Sequence, residues 1–380
     1  MRTRRVLLVG MLLASVVVGL LVGVGPSDPN TGSDPASEQL VAPEETGSHL
    51  WPYTSRSRSV DDRTLAINVV VRAEPDALRQ ALVSRSDGNW TEVERDEAVA
   101  ADASPWQDAR GASRYTYVAP DRNTTGTWVR ADYQLSTGAY LGRRVHIRAY
   151  PAPSGNWTAI QAHEEYWDWF RLRHSVTGIR PGSAYLERDL RDEPFVAAVA
   201  REYHGLDGGG GDGWITAIEF AVPALLVGAV GAGDVVLDDW RRGLVDVALP
   251  LALAATLLGV RSLGLAAESV VPGLDPRVFA AGLYPVLAVG PPALVRWLAP
   301  GRPAGRAAVL AGGGLGAGVV LDLVGVGVRV LPIRLAIHRL GLCCALGLFA
   351  LGVARGDRRS AAAGLAAWAV ALAVALGGYV

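Results

Sequence analysis

The sequence contains no lysine, and all 36 of its cationic side chains are arginine. Two causes produce such a composition: a GC-rich genome, or adaptation to high salt, in which an acidic surface keeps a protein soluble. Cysteine is almost as scarce, because the only two, Cys343 and Cys344, are adjacent within an apolar run. A disulfide framework and a cysteine metal site are therefore excluded, and a domain outside the membrane must rely on an ordinary hydrophobic core.

The net charge of −1 conceals an uneven distribution of charge along the chain. Residues 26–213 contain 28 acidic residues and 20 arginines, whereas residues 214–380 contain 13 arginines and only nine acidic residues. An acidic domain repels the phosphate backbone, so we expect no nucleic-acid partner. An acidic polar part followed by a basic hydrophobic part favours a salt-adapted membrane protein, and in this the chain resembles archaeal membrane proteins.

Composition divides the chain before residue 214 into four segments. Residues 1–25 join three arginines to an apolar run long enough to span a bilayer, which predicts a signal sequence or a retained anchor helix. Residues 26–50 are rich in Pro, Ser, Asp and Glu and predict a disordered acidic tether. Residues 51–204 suffice for one domain, and the glycines of 205–213 predict a flexible linker behind it.

Residues 51–204 predict an α+β domain with a mostly antiparallel sheet and flanking helices. Alternating apolar and β-branched residues predict the strands, and helical spacing predicts helices near both ends. The predicted strands are 64–71, 114–119, 128–135, 143–150 and 157–163, and the predicted helices are 74–82, 183–191 and 194–203.

Residues 214–380 predict an all-α transmembrane bundle of about six helices. The predicted spans lie near 214–232, 243–260, 278–297, 307–328, 333–354 and 360–379. Arginines concentrate in alternate loops, at 233–242, 298–306 and 355–359. The positive-inside rule then predicts a multi-pass protein of the cell membrane, with the soluble domain and the C-terminus extracytoplasmic. The lipid bilayer is its expected partner.

Three glycosylation sequons also favour an extracytoplasmic domain. They begin at Asn89, Asn123 and Asn156, and residues 157–380 contain none. Sequons of this kind are acceptors when they lie on a surface loop of an exported protein.

A candidate polar face arises from the two strands at 143–150 and 157–163. If they form a hairpin, His146 lies opposite Gln161, and Arg148 and His163 share their face. Such a face can hold an anion or a metal, with His174 following within reach, but a solvated outer face is the favoured interpretation. We expect no cofactor and predict no metal site, because HEEYW at 163–167 lacks the second histidine of HExxH.

Several segments of the domain resemble the LssY C-terminal domain. LAINVVVRAEPDALRQALVSRSDGNW at 65–90 is similar to its opening strand and helix, and GRRVHIRAY at 142–150 is similar to its His-x-Arg strand. NWTAIQA at 156–162 and LERDL at 186–190 resemble its later segments. The resemblance covers about residues 60–205, and members often accompany membrane phosphatase-like domains. The polar positions that match the family are His146, Arg148, His174, Glu187, Arg188 and Asp189.

A second set of polar residues lies in the predicted membrane spans, at Glu219, Asp322 and His338. Charges within a bilayer are costly unless they are paired or hydrated. One interpretation is a polar pocket open to the outside. The favoured one is a pair of interhelical salt bridges, in which Glu219 or Asp322 pairs with Arg334 or Arg339.

Three functional hypotheses remain open on the sequence alone. The first is a non-enzymatic membrane protein whose extracytoplasmic domain binds an envelope protein or a small anionic ligand. The second is a hydrolase that acts on a phosphorylated or lipid-linked envelope substrate. The third is a small transporter or lipid-handling bundle. We expect the first, and no catalytic residue is assigned.

Overall fold

The computed structural model describes residues 34–44, 47–55, 58, 64–93, 115–220, 244–328 and 331–377. They form a mixed-sheet domain followed by five long, apolar helices. At this level the predicted combination of a sheet domain and a helical part is confirmed. The predicted signal or anchor helix at 1–25 lies outside the described residues.

The strands and helices of the sheet domain follow one another in this order along the chain. The strands are β1 His49–Leu50, β2 Val69–Arg72, β3 Thr91–Glu92, β4 Tyr115–Ala119, β5 Thr127–Arg130, β6 Tyr133–Gly138, β7 Arg143–Pro151, β8 Thr158–Asp168, β9 Arg173–Gly178, β10 Val196–Gly208 and β11 Gly211–Phe220. The helices are α1 Pro75–Ser84, between β2 and β3, and α2 Arg180–Arg191, between β9 and β10.

The larger sheet has the strand order β10–β11–β2–β8–β7–β6–β3, and β9 pairs with the far half of β8. Only the pairing of β11 with β2 is parallel; the other pairings are antiparallel. The smaller sheet has the order β1–β4–β5. The predicted strand at 128–135 is therefore two strands, since β5 belongs to the small sheet and β6 to the large one.

The large sheet is covered on both faces, and this decides which side chains it buries. Helices α1 and α2 pack on one face, where Leu78 and Leu186 meet Ile147 and Ile160 in one core. On the opposite face, Tyr150 and the residues around it pack with the small sheet. Successive residues of a strand point to opposite faces, so the second face also receives Arg144, His146 and Arg148.

Three predicted segments of this part of the chain have a different structure from the one expected. Part of the predicted tether at 26–50 is folded, because Leu40 and Val41 are buried and β1 pairs with β4. The predicted helix at 194–203 is strand β10, because pairing with β11 outweighs the helical propensity of its alanines. The glycines of the predicted linker at 205–213 form the β10–β11 turn, where Gly208, Gly209 and Gly210 have positive φ.

Among the residues that the structure describes, five helices have the length and composition to cross a membrane. They are α3 Leu244–Val270, α4 Pro276–Leu298, α5 Ala304–Gly325, α6 Ile333–Arg355 and α7 Arg358–Leu376. The predicted span at 214–232 is wrong up to Phe220, which ends strand β11, and its remainder lies outside the described residues. Residues 215–218 are buried within the sheet, and hydropathy does not distinguish that environment from lipid.

Small residues allow close packing within the bundle. A Cβ atom added at Gly314 would overlap the Cα atom of Pro250, and one added at Gly318 would lie 2.9 Å from the Cα atom of Ala254. Gly312 and Gly316 approach Cys343 of α6 instead. The glycine pairs thus let α5 contact α3 on one side and α6 on the other, as small residues four apart do in membrane helices.

The sheet domain is docked on one end of the bundle. Leu141, Trp167, Trp169 and Phe170 share a continuous core with the helices. Close to them, Glu268 of α3 accepts hydrogen bonds from the backbone nitrogens of Tyr140 and Leu141, at 2.7 and 2.9 Å. The described contacts involve the C-terminal ends of α3 and α5 and the N-terminal ends of α4 and α6, which lie at the same end of the bundle.

Candidate functional site

The polar face of β7 and β8 is buried. His146 lies opposite His163, Arg148 opposite Gln161, and Arg144 opposite Glu165. This register differs by two residues from the predicted hairpin, and a shift of two keeps the same side chains on the same face. The favoured interpretation of a solvated outer face is nevertheless wrong, since His146 is 5 % and His163 only 1 % exposed. A covered second face of the sheet removes these side chains from water.

A continuous hydrogen-bond network connects the side chains of this face other than His146, which packs against it. Arg144 Nε donates to Glu165 Oε1 at 2.7 Å, and Glu165 Oε2 lies 3.2 Å from His163 Nε2. Gln161 Oε1 lies 3.0 Å from His163 Nδ1 and accepts from Arg148 Nη1 at 3.3 Å. The His146 and His163 rings meet edge to face with centroids 5.0 Å apart. The network is held by two adjacent strands and is therefore rigid.

His174 extends the network towards the bundle. Its Nδ1 lies 3.3 Å from Arg144 Nη2, and its Nε2 lies 2.8 Å from the carbonyl oxygen of Tyr140. Its ring also packs edge to face against Tyr140 and Trp167, two residues at the domain–bundle junction. Of the predicted polar face, the structure thus brings together His146, Arg148, His163 and His174.

Burial controls the ionisation of the three central groups. Loss of hydration lowers the pKa of His146 well below its ordinary value and that of His163 below it, although Glu165 opposes both shifts. For Glu165, burial by itself raises the pKa, but the neighbouring His174, His163 and Arg144 outweigh burial and hold the pKa well below its ordinary value. Two neutral imidazoles therefore face an ionised carboxylate.

The other predicted members of the face lie elsewhere. Helix α2, which carries Glu187, Arg188 and Asp189, packs on the opposite face of the large sheet. Glu187 is buried and pairs with Arg191 and with Arg201, whose Nη2 is 2.7 Å away. Asp189 accepts a hydrogen bond from Trp90 Nε1 at 2.7 Å, and Arg188 is exposed beside the Tyr185 ring. Glu187, through Arg201, and Asp189, through Trp90, thus fasten α2 to its surroundings, whereas Arg188 contacts only its own helix among these pairs.

A separate cleft of about 580 Å³ opens between the start of α2 and the β10–β11 hairpin. Its acidic and basic lining residues among those described are Arg180, Arg201, His204 and Asp212, and Tyr53 lines it as well. The Arg180 guanidinium is 79 % exposed and lies 3.7 Å from Asp212. Trp214 also lines the cleft, and its exposed ring packs against Tyr203. The cleft therefore combines more basic than acidic side chains with an exposed aromatic ring.

The residues predicted to be intramembrane have different surroundings from those expected. Glu219 lies on β11 and pairs with Arg72 of β2, so its assignment to a membrane helix is wrong. Asp322 of α5 forms a bidentate pair with Arg261 of α3, with both N–O distances 2.8 Å. His338 of α6 contacts the carbonyl oxygen of Ala371 at 2.9 Å. A salt bridge within the bundle is present, but Arg261, and neither Arg334 nor Arg339, supplies its cation.

A second ion pair crosses from the bundle to the sheet domain. Arg339 of α6 binds Asp168 at the end of β8, and both side chains are buried. Arg261 also donates to the carbonyl oxygen of Leu141 in the sheet domain. Charged contacts from α3 and α6 therefore hold the domain on the bundle, in addition to the aromatic residues.

Glu165 and Arg261 were absent from the predicted sites, and only Glu165 had a signal in the sequence. It follows His163 by two residues, so it had to share a face with that histidine in any strand. Arg261 lies in an apolar run with no local pattern. Its partners Asp322 and Leu141 are 61 and 120 residues away, and only the tertiary fold brings them together.

The three sequons are accessible. Asn89, Asn123 and Asn156 are each exposed, and all three lie outside the strands and helices. Asn89 has a positive φ of 51°, a conformation that asparagine adopts more readily than most residues.

Comparison with known proteins adds no relative to this description. No protein-family model matches the chain, and neither a curated protein nor a solved structure matches it significantly. The residues themselves must therefore support any functional conclusion.

Proposed function

We propose that this chain is a multi-pass membrane protein whose sheet domain lies outside the cytoplasm and binds a small anionic ligand. The cleft beside α2 is the observation that carries the proposal. Its volume falls within the range of small-molecule sites. The resemblance of the domain to the LssY C-terminal domain remains part of this proposal.

The charge of the cleft supports an anionic ligand. Arg180, Arg201 and His204 face one acidic residue, Asp212, although the polar part of the chain has a net charge of −8. Arg201 is already engaged by Glu187 at 2.7 Å, and burial lowers the pKa of His204. Arg180 is 79 % exposed and meets Asp212 only at 3.7 Å, so it is the cation most open to a ligand. The exposed Trp214 ring offers a flat apolar surface on which the non-ionic part of the ligand can stack.

The distribution of arginine supports the extracytoplasmic position. Segments 296–306 and 355–359 lie at the end of the bundle away from the sheet domain and contain six arginines and one acidic residue. The positive-inside rule assigns that end to the cytoplasm. The sheet domain, its exposed sequons and the end of α7 then lie on the other side.

The other two hypotheses receive less support from the geometry. A hydrolase centred on His146, Arg148, His163 and His174 would need access for its substrate, but His163 is only 1 % exposed. A transporter centred on the intramembrane charges would need them available, but Asp322 is engaged by both nitrogens of Arg261. Both arrangements suit a stable scaffold better than a turnover site.

Ligand binding is tested with the full-length protein in detergent. The probes are inorganic phosphate, citrate and glucose 6-phosphate, and the measurements are thermal unfolding and titration calorimetry. We expect at least one probe to raise Tm and to bind about tenfold more weakly to Arg180→Gln, because a charge-assisted hydrogen bond is lost. Arg188→Gln, on the same helix but outside the cleft, is the matched control. Unchanged binding in Arg180→Gln, or no binding of any probe to the wild type, contradicts an anion site here.

Sidedness is tested by labelling with a membrane-impermeant maleimide. Cys343 and Cys344 are first replaced by serine, and single cysteines are then introduced as Asn123→Cys in the sheet domain and Arg302→Cys between α4 and α5. In intact cells we expect labelling of the first variant only, and labelling of both after permeabilisation. The reverse pattern would place the sheet domain in the cytoplasm.

A further inference from the structure

Three potential ligand groups converge inside the large sheet, apart from the proposed ligand cleft. One ring nitrogen each from His146 and His163 and one carboxylate oxygen of Glu165 all lie within 4.8 Å of one another. The strand register explains the convergence, because His146 and His163 are directly opposed and Glu165 is the next residue on the same face of β8. Two imidazoles and a carboxylate form a donor set typical of zinc.

Hydrogen bonding determines which nitrogen of His163 carries its proton. Arg148 donates to Gln161 Oε1, which fixes the orientation of that amide, and the same oxygen lies 3.0 Å from His163 Nδ1. Because the oxygen can only accept, Nδ1 must carry the hydrogen. In the neutral ring the lone pair is then on Nε2.

This tautomer places two acceptors against each other. His163 Nε2 points at Glu165 Oε2 over 3.2 Å, and neither residue is more than 5 % exposed. Two lone pairs at this distance, away from water, repel unless a positive species lies between them. A divalent cation held between the two atoms removes this repulsion. Tetrahedral zinc separates its N and O ligands by about 3.3 Å, close to the observed spacing.

The remaining atoms of the cluster are arranged as in known metal sites. Arg144 binds Glu165 Oε1 and leaves Oε2 directed at His163, while Gln161 orients the His163 ring from behind. His146 is 5 % exposed, and its Nε2 has no hydrogen-bond partner among the described residues. The other ring nitrogen, Nδ1, lies 3.8 Å from Glu165 Oε1, so His146 is within reach of the same ion.

We propose that His146, His163 and Glu165 bind one divalent transition-metal ion, with zinc the best match to the donor set. Calcium and magnesium are disfavoured because both prefer ligand shells made entirely of oxygen. Three protein ligands leave one tetrahedral position for water. The buried location assigns the ion a structural role, in which it joins β7 to β8 beside the residues that contact the bundle.

The proposal is tested on full-length protein that has been stripped with EDTA and then dialysed against Zn²⁺. We expect about one zinc per chain by plasma mass spectrometry and a higher Tm than in the stripped protein. His146→Gln and His163→Gln should each weaken zinc binding at least about tenfold. His49→Gln, at a histidine of the same domain outside both the cluster and the cleft, should bind zinc as the wild type does. Equal zinc content in the cluster variants and the wild type overturns the proposal.

Cobalt provides a readout that needs no variant to fold. Co²⁺ added to the stripped wild type should give the intense visible absorption of a four-coordinate ion with nitrogen and oxygen ligands, and Zn²⁺ should displace it. The weak spectrum of hydrated Co²⁺ alone would show that the three side chains bind no metal. This outcome would leave the proposed anion cleft unaffected, since the two sites share no ligand residue.

Discussion

The sheet domain and the junction with the bundle both bury charged side chains, but they accommodate them differently. At the junction each buried charge meets its opposite: Arg261 binds Asp322 and Arg339 binds Asp168. Inside the sheet, one carboxylate, Glu165, is shared by Arg144 and His163, and His146 Nε2 has no partner among the described residues. The ion pairs at the junction are complete and have a structural role. The buried cluster in the sheet leaves a nitrogen without a partner within the described part of the chain, which indicates a site that binds a further group.

The two regions also differ in how their cores are built. Large side chains such as Trp157 and Tyr150 fill the sheet domain, while Gly314 and Ala311 line the buried contacts of α5. Water drives the burial of large apolar groups in the sheet domain. In lipid this driving force is absent, so close backbone contact and buried ion pairs must stabilise the bundle. The same fold thus contains two solutions to packing, and each one predicts different effects of mutation.

The largest effect is expected for a broken ion pair at the junction. Asp322→Leu leaves the Arg261 guanidinium buried without its carboxylate, and should cost about 3–5 kcal/mol of unfolding free energy. Arg261→Leu with Asp322→Leu should recover most of that loss, because two apolar groups then meet. Thermal and denaturant unfolding in detergent measure both. Arg79→Gln, which breaks an exposed pair with Glu92, should cost less than about 1 kcal/mol. Equal losses in the single and double variants would show that the pair is not coupled.

A smaller effect is expected from a methyl group at the α3–α5 contact. Gly314→Ala forces Pro250 to move and should destabilise the bundle by about 1–3 kcal/mol. Gly313→Ala adds the same group where no atom lies within 4 Å, and should be neutral or stabilising by up to about 1 kcal/mol. The unfolding midpoints of the two variants are compared in the same detergent. If both respond alike, the glycines act through helix propensity and close packing is not required.

The smallest effect is expected from pH, and it tests the sheet cluster. The pKa values of His146 and His163 are lowered in the folded domain, so the unfolded chain takes up protons first as pH falls. The stability from these two residues is therefore present above about pH 6.5 and is lost below it. Between pH 6.5 and 5.5, in EDTA, we expect a loss of roughly 1–2 kcal/mol.

The control for the pH effect is a pair of variants. His146→Leu with His163→Leu should flatten the pH dependence, whereas His204→Gln should flatten it less, since this histidine retains partial exposure. A pH profile identical in the wild type and the double variant would show that neither buried imidazole is linked to folding.

Local pattern was sufficient for those features that depend on neighbours in the chain. Pro75 begins α1 as predicted, and β7 and β8 form a hairpin whose shared polar face was identified correctly despite a register error of two residues. Period-two alternation determines the face, so an even shift preserves it. Residues such as Phe220 were misassigned because a buried central strand and a membrane helix are equally apolar. Amino-acid composition and hydropathy do not specify which other segment a strand or helix will pack against.

By itself the sequence determined the acidic character of the polar part, the absence of disulfides, the α+β character of that part, and most of the apolar helices. These properties follow from residue types and short periods, which act locally. The tertiary structure alone decided that the histidine face is buried, that Arg144 and His163 share the carboxylate of Glu165, and that Arg261 meets Asp322. Each of these depends on contacts between residues distant in the chain, because burial and charge pairing are properties of the packed molecule.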